Sequence, residues 1–224
     1  SGSFHVSTAD YLKLGQDGVF YATNPEKSVL TSAPAAAFGF LGSHPTEILL
    51  ERSILKVPSG KGISFIGGDM FLHNGSLRAP GGRIDVVSVA SPGEVQVNDG
   101  PPVLNGFIQQ GNVQVLRDVN FTTYADLDVS GSLQDKNGGV YIRGGRFEMR
   151  GGSIYANNTG SYDGRGVNIN VTGDVVLSPQ GLSKGGLILS RASSTGKAGD
   201  VVVDAKRLEL TGGSYIDTRT YYSS

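Results

Sequence analysis

Cysteine is absent from the 224 residues, which excludes disulfides, thiol nucleophiles and cysteine metal sites together. Long apolar runs are absent as well. No stretch reaches the ~18 residues of a membrane-crossing helix, and the apolar segment 33–41, APAAAFGFL, is too short and is interrupted by Pro34. Neither sign of charge dominates: 19 Lys and Arg stand against 20 Asp and Glu, so no broad field draws the chain to nucleic acid or to an anionic membrane. The opening Ser1-Gly2-Ser3 is not a basic start leading into an apolar core. The sequence therefore reads as a soluble portion of a longer chain.

What is abundant is glycine. With 34 of 224 residues it is about twice as common as the usual ~7 %, without the every-third spacing of collagen. A hydrophobic content of 38 % is too high for a disordered linker. Many glycines with ample apolar residues imply many corners between short strands. The pattern at 63–79, ISFIGGDMFLHNGSLRA, recurs at 140–156 as VYIRGGRFEMRGGSIYA and at 201–217 as VVVDAKRLELTGGSYID. Aligned without gaps, Ile63, Val140 and Val201 correspond, as do Phe65, Ile142 and Val203, then Met70, Phe147 and Leu208, and Leu72, Met149 and Leu210. Each unit is a strand of period two, a glycine corner, a second such strand and another corner. Such a unit cannot bury its own apolar face, so it must stack on copies of itself in an all-β solenoid. At about 20–25 residues per coil, the spacings between copies hold about three coils each, and about ten coils at ~4.8 Å make a rod of about 50 Å.

Residues 4–62 are less repetitive. Strands are expected around Phe4 and Val6, at Tyr11–Leu14 and at Val19–Ala22, and the segment 33–41 is expected to be extended, burying Phe38, Phe40 and Leu41. For 47–57 a helical face is conceivable from Ile48, Leu49, Ile54 and Leu55, but strands fit better because the segment runs into Pro58-Ser59-Gly60. Further strands are expected at Ile84–Val89, Val95–Val97, Val113–Leu116, Leu127–Val129, Val167–Val171, Val175–Leu177 and Leu187–Leu189. A protruding loop is expected at Asn98-Asp99-Gly100-Pro101-Pro102.

Several runs, in order and spacing across residues 3–89, resemble the secretion domain of filamentous haemagglutinin-type two-partner secretion exoproteins. They are Ser7-Thr8-Ala9-Asp10, Tyr21-Ala22-Thr23-Asn24-Pro25, Ala37-Phe38-Gly39-Phe40-Leu41, Gly67-Gly68-Asp69 and Ala79-Pro80-Gly81-Gly82-Arg83-Ile84. Later runs such as Gly152-Ser153-Ile154 and Gly199-Asp200-Val201-Val202-Val203 look like the repeats that follow that domain. The resemblance implies a right-handed parallel β-helix, with 1–62 the latter part of the secretion domain and 63–224 the repeats. It also implies a secreted, cell-surface adhesin, and an outer-membrane β-barrel transporter as partner of the full-length protein. The family's Asn-Pro-Asn-Gly motif, expected just before Ser7, is not among these residues, so the 224 residues alone are not expected to be exported efficiently by that barrel.

No cofactor, metal or catalytic centre is expected. His5, His44 and His73 are scattered, and Gly67-Gly68-Asp69 occurs singly rather than in a calcium-binding array. The rival reading, a β-helical polysaccharide lyase or hydrolase, requires several carboxylates converging from neighbouring coils. Asp126 and Asp128 share a strand face, and Asp85, Asp200 and Asp204 are candidates for a common one, but alternation with inward Leu127 and Val129 makes Asp126 and Asp128 ordinary outward residues. Candidate glycan contacts are Tyr155, Tyr162 and Tyr215, whose rings could stack on sugars, with Arg143 and Arg146 from a basic group that includes Arg150 and Arg165. Tyr221 and Tyr222 lie in the same region, and a ladder of Tyr155 on Tyr215 is favoured over a sugar site. The remaining partners expected are a host or extracellular glycan or protein, and other copies of the chain through open solenoid ends, in a dimer or as a filament or sheath; nucleic acid is not expected.

Overall fold

The structure, a computed structural model, describes residues 2–97, 100–107, 109–117, 125–132, 139–181 and 185–221. Asn98 and Asp99 of the expected loop, and Tyr222, lie outside the described residues. The protein is all-β, with one 3-10 turn at Pro25–Lys27 and no α-helix among the described residues. The segment 47–57 forms two strands rather than a helix.

Three six-stranded parallel sheets carry the molecule. Sheet 1 consists of Phe4–Ser7, Gly62–Gly67, Arg83–Ser88, Gly139–Gly144, Gly166–Val171 and Val201–Asp204. Sheet 2 consists of Ile48–Glu51, Met70–His73, Asn112–Leu116, Arg146–Arg150, Asp174–Ser178 and Arg207–Leu210. Sheet 3 consists of Ile54–Lys56, Ser76–Arg78, Asp126–Asp128, Ser153–Tyr155, Leu187–Ala192 and Tyr215–Thr220. The chain visits sheets 1, 2 and 3 in turn and then returns to sheet 1 one strand further on, through six circuits.

Register puts like residues on like. Phe65, Val86, Ile142, Ile169 and Val203 form one inward column of sheet 1. Leu50, Leu72, Val115, Met149, Leu177 and Leu210 form one of sheet 2, and Leu55, Leu77, Leu127, Ile154, Ile188 and Ile216 form that of sheet 3. In the middle circuits these residues are fully buried in one continuous core. Each contributes about 1.5–3 kcal/mol on leaving water.

The stack departs from the expected pattern in four ways. The spacings from Ile63 to Val140 and from Val140 to Val201 each hold two circuits, not three, because long excursions between strands lengthen the circuits; the stack has six layers rather than about ten. The third copy is not gapless. Ile216, not Tyr215, occupies the column of Ile154, so the corner 211–214 holds one more residue than its counterpart. Gly212 and Gly213 absorb it in left-handed conformations, with φ of 56° and 79°; with period two, that single residue turns Tyr215 outward. In the fifth circuit Ile188 points inward, so Leu187 and Leu189 face out. Finally, Leu208 and Leu210 lie on the sixth circuit with a neighbour on one side, and are 46 % and 42 % exposed.

A fourth sheet is antiparallel and stands outside the stack, in the strand order Val103–Asn105, Gly93–Gln96, Ala35–Phe40, Tyr11–Leu14, Gly18–Tyr21. It is built from two excursions, one following Phe4–Ser7 and the other following Arg83–Ser88. Val95, expected in the solenoid, belongs here. Tyr11 lies across Gly39, where a β-carbon would meet the ring at 1.9 Å, so only glycine fits beneath it. The Tyr11 hydroxyl donates to Glu94 at 3.1 Å and Lys13 pairs with the same carboxylate at 2.6 Å, joining the two excursions. Phe38 and Phe40 face inward together, as alternation requires. Leu41 is out of phase and 63 % exposed, contrary to expectation.

Candidate functional site

The outer face of sheet 1 is divided by composition. Because side chains alternate, the residues between the inward ones form two outward columns. The first holds His5, Ser64, Asp85, Tyr141, Asn168 and Val202; the second holds Ser7, Ile66, Val87, Arg143, Asn170 and Asp204. Ile66 and Val87, with the following Val89, are buried against Phe38, Phe40 and Val95 of the antiparallel sheet in a second apolar cluster. The first column is polar or aromatic from His5 to Asn168 and apolar only at Val202. At the margin between the two lies a cleft of about 480 Å³, walled by Pro34, Ala35 and Val97 on the antiparallel side and by His5, Ser64, Arg83 and Asp85 on the sheet-1 side, with Arg165 at its rim.

Asp85 is the centre of this polar wall and is only 4 % exposed. Arg83 Nε donates to its Oδ1 at 2.7 Å and Ser64 Oγ donates to its Oδ2 at 3.1 Å. Arg83 also lies 4.8 Å from the centre of the Tyr141 ring, a cation–π contact one strand further along. Burial pushes the Asp85 carboxyl above its ordinary range, and the Arg83 charge and hydrogen bond, with that from Ser64, oppose the rise. Burial moves the His5 ring the other way, below its ordinary value, against the pull of Asp85. The cleft thus presents a neutral imidazole at neutral pH, a hydrogen-bonded carboxylate and guanidinium groups opposite an apolar wall. That arrangement can hold a small polar molecule that has an apolar face.

The residues proposed from sequence are not brought together. Arg143 lies on sheet 1, 9 % exposed, its Nη1 donating to the carbonyls of Ile142 at 2.8 Å and Asn168 at 3.1 Å; burial lowers its pKa. Arg146 lies on sheet 2, 3.9 Å from Glu148, which Arg150 holds from the other side at 2.6 Å. Tyr155 is on sheet 3 and lines a recess of about 220 Å³ with Asp126, Ser153 and Arg117. Tyr215 is also on sheet 3, 42 % exposed, but in the neighbouring column and two strands away, opposite Leu187, so the expected Tyr155–Tyr215 ladder does not exist. Tyr162 is exposed in the connection between Ser153–Tyr155 and Gly166–Val171. The anticipated basic group is thereby split between two sheets and, with Arg165, the cleft rim.

The carboxylates separate as well. Asp85 is on sheet 1 and Asp126 on sheet 3, while Asp204 lies three strands from Asp85, about 14 Å by strand spacing. Asp126 and Asp128 do point away from the core, yet Asp126 is 5 % exposed and its Oδ1 is buried without a hydrogen-bond partner. No group of three or more metal-ligating side chains exists among the described residues. Reasoning from sequence missed the cleft because its walls, 34–35 and 97 against 64–85, come together only when the antiparallel sheet docks. The polar residues at 5, 64 and 85 in otherwise apolar strands were the available signal. Comparison with protein-family models, curated proteins and solved structures gives no match to this chain.

Proposed function

We propose that the chain is a right-handed parallel β-helix that forms part of a secreted, cell-surface protein of the two-partner secretion type, acting as a structural and adhesive shaft. The observation that carries this reading is the in-register stacking of inward columns through all six circuits, which makes the molecule an extendable solid core rather than a shell around a cavity. The antiparallel sheet supports the reading, since three of its five strands lie in the less repetitive 4–62 and one of them holds Ala37-Phe38-Gly39-Phe40 of the run that carries the resemblance. Outward carboxylates are paired with arginines on each parallel sheet (Asp85 with Arg83, Glu148 with Arg150, Asp217 with Arg191), which suits a surface exposed along its length. The test is export. The full reading frame, expressed with and without a co-expressed outer-membrane barrel transporter, is expected outside the cell only when the barrel is present. Export that ignores the barrel, or a chain that stays in the cytoplasm, would remove the proposal.

A further inference from the structure

We propose that the paired loops joining sheet 3 to sheet 1 in the fourth and fifth circuits bind a neutral sugar, stacked on the ring of Tyr162. This deepens the adhesive reading and rests on it for its biological sense, though not for its chemistry. The turn from sheet 3 to sheet 1 needs little chain. In the first two circuits it is made by residues 57–61 and 79–82, whereas in the fourth and fifth it takes 156–165 and 193–200. The third, 129–138, lies partly outside the described residues. Closing a circuit does not require the added length, and in stacked repeats such insertions map to one side, often the binding side.

The added length is built as one rigid unit. Asn158, 1 % exposed, donates from Nδ2 to the carbonyl of Tyr162 at 2.6 Å in its own loop and to that of Lys197 at 2.9 Å in the next, while its Oδ1 accepts from the Gly160 amide at 2.8 Å. Backbone bonds from Ser193 to Asn158, from Gly196 to Gly160 and from Gly164 to Lys197 tie the two loops along their length. A β-carbon at Gly196 would collide with the Tyr162 carbonyl oxygen, so glycine is what lets the loops close on each other. Tyr162 is thus fixed by its backbone and yet 52 % exposed. A ring held in this way loses little freedom on binding, and its face suits the C–H side of a sugar. Around it Thr159, Ser161, Ser193 and Thr195 are exposed and supply hydroxyls. The exposed charges of the pair, Asp163 and Asp200 against Arg165 and Lys197, are equal in number, which favours a neutral ligand. A protein partner would need several apolar anchors spread over about 800 Å² per side. Tyr162 is the one exposed aromatic or aliphatic residue of the two loops, which is sufficient for a single sugar ring.

The experiment is titration of the 224-residue protein with lactose and with cellobiose, followed by NMR shifts of its backbone amides, with glycerol, a polyol without a ring, as control. Saturable shifts confined to the two loops are expected with at least one disaccharide and not with glycerol. Tyr162→Ala should weaken that binding tenfold or more at an unchanged melting temperature, while Tyr162→Phe, which keeps the ring, should stay within about twofold of the wild type. Should Tyr162→Ala fail to fold, Tyr162→Leu, which keeps bulk without the ring, makes the same comparison. No saturable shift with either sugar, shifts centred elsewhere, binding that survives loss of the ring, or equal losses from Tyr162→Ala and Tyr162→Phe would each overturn the proposal. The export test is independent of this one, because Tyr162 stands outside the stacked core; a chain that is exported through the barrel but ignores both sugars defeats only the loop assignment, and loops that bind sugar on a chain that bypasses the barrel defeat only the secretion reading.

Discussion

The parallel stack and the antiparallel sheet solve the same problem in opposite ways. In the stack every inward residue meets its equivalent one circuit away, Leu77 on Leu127 on Ile154, so order is propagated between neighbours and each circuit supports the next. The antiparallel sheet has no repeat to lean on. Its central pairing sets Phe38 opposite Val95, and its ion pair joins Lys13 to Glu94, so segments far apart in sequence must meet before either is stable. A stack of this kind distributes stability, whereas the antiparallel sheet holds its own in a few contacts. The two regions should therefore fail differently.

The largest expected effect is in the middle of the stack. Phe147 is fully buried between Val113 and Val175, and Phe147→Asp would place an unpaired charge in the continuous core, costing several kcal/mol and unfolding most of the chain at room temperature. Leu208 occupies the same column at the sixth circuit and is half in water, so Leu208→Asp should cost about 1 kcal/mol or less. Urea melts of the two variants measure the gap. Equal losses would mean that position along the stack is irrelevant, and the neighbour-by-neighbour picture would be wrong.

Next in size is the antiparallel sheet. Phe38→Ala removes a buried ring from the second apolar cluster, a change that costs about 3–5 kcal/mol in a cooperative core. Here the loss is expected to be local. Amides of Tyr11–Leu14 and Ala35–Phe40 should exchange with deuterium much faster, while those of Gly139–Gly144 and Arg146–Arg150 keep their protection. Uniform acceleration across all four strands would show that the two regions unfold as one.

The same contrast explains what could be read from the sequence. Period-two alternation bounded by glycine corners marked nearly every strand of the stack, because inward position is a local property of one residue and its next neighbour but one. Copies two circuits apart were recognisable, since Ile63 and Val140, or Leu72 and Met149, bury into equivalent columns. The circuits between them were missed as equivalents: after Ser88 the chain leaves the stack to place Gly93–Gln96 and Val103–Asn105 in the antiparallel sheet, so Ile84 and Val140 are separated by far more chain than Ile63 and Ile84. The extra residue at 211–214 was hidden for a different reason. Tyr215 and Ile216 are both apolar enough to point inward, and only pairing with Leu187 and Ile188 decides between them. The cleft was beyond reach because Pro34, Ala35 and Val97 say nothing locally about what they will face.

That corner gives a third, smaller prediction. Deleting Gly213 restores the separation between inward residues found from Met149 to Ile154, so Ile216 can keep its place over Ile188 while Tyr215 stays outward. The melting temperature should fall by only a few degrees. Inserting one glycine after Gly152 in the fourth circuit, where strands pair on both sides, should cost considerably more. If the deletion proved the more damaging, the left-handed pair at Gly212 and Gly213 would be a required feature of the sixth circuit and not an accommodation of one extra residue.

The smallest effect concerns pH, at the seam where the two regions meet. His5 has a folded pKa below its ordinary value of 6.5 because burial disfavours the imidazolium. As pH falls through about 6.5 the unfolded chain takes up this proton more readily than the folded one, so stability declines below that point. Asp85 has the opposite sign. Its folded pKa is raised above 3.8, so between that value and its folded pKa the native state holds more protons than the unfolded state, and acid there favours folding. The two slopes have opposite signs, that of His5 starting just below pH 6.5 and that of Asp85 just above pH 3.8. His5→Gln should flatten the decline just below pH 6.5, and Asp85→Asn should remove the opposing slope nearer pH 4, both read from urea midpoints across the range pH 4 to 7. A wild-type decline below pH 6.5 that survives His5→Gln unchanged would place the responsible proton elsewhere, and the polar column beside the cleft would then have no part in the acid response of this seam.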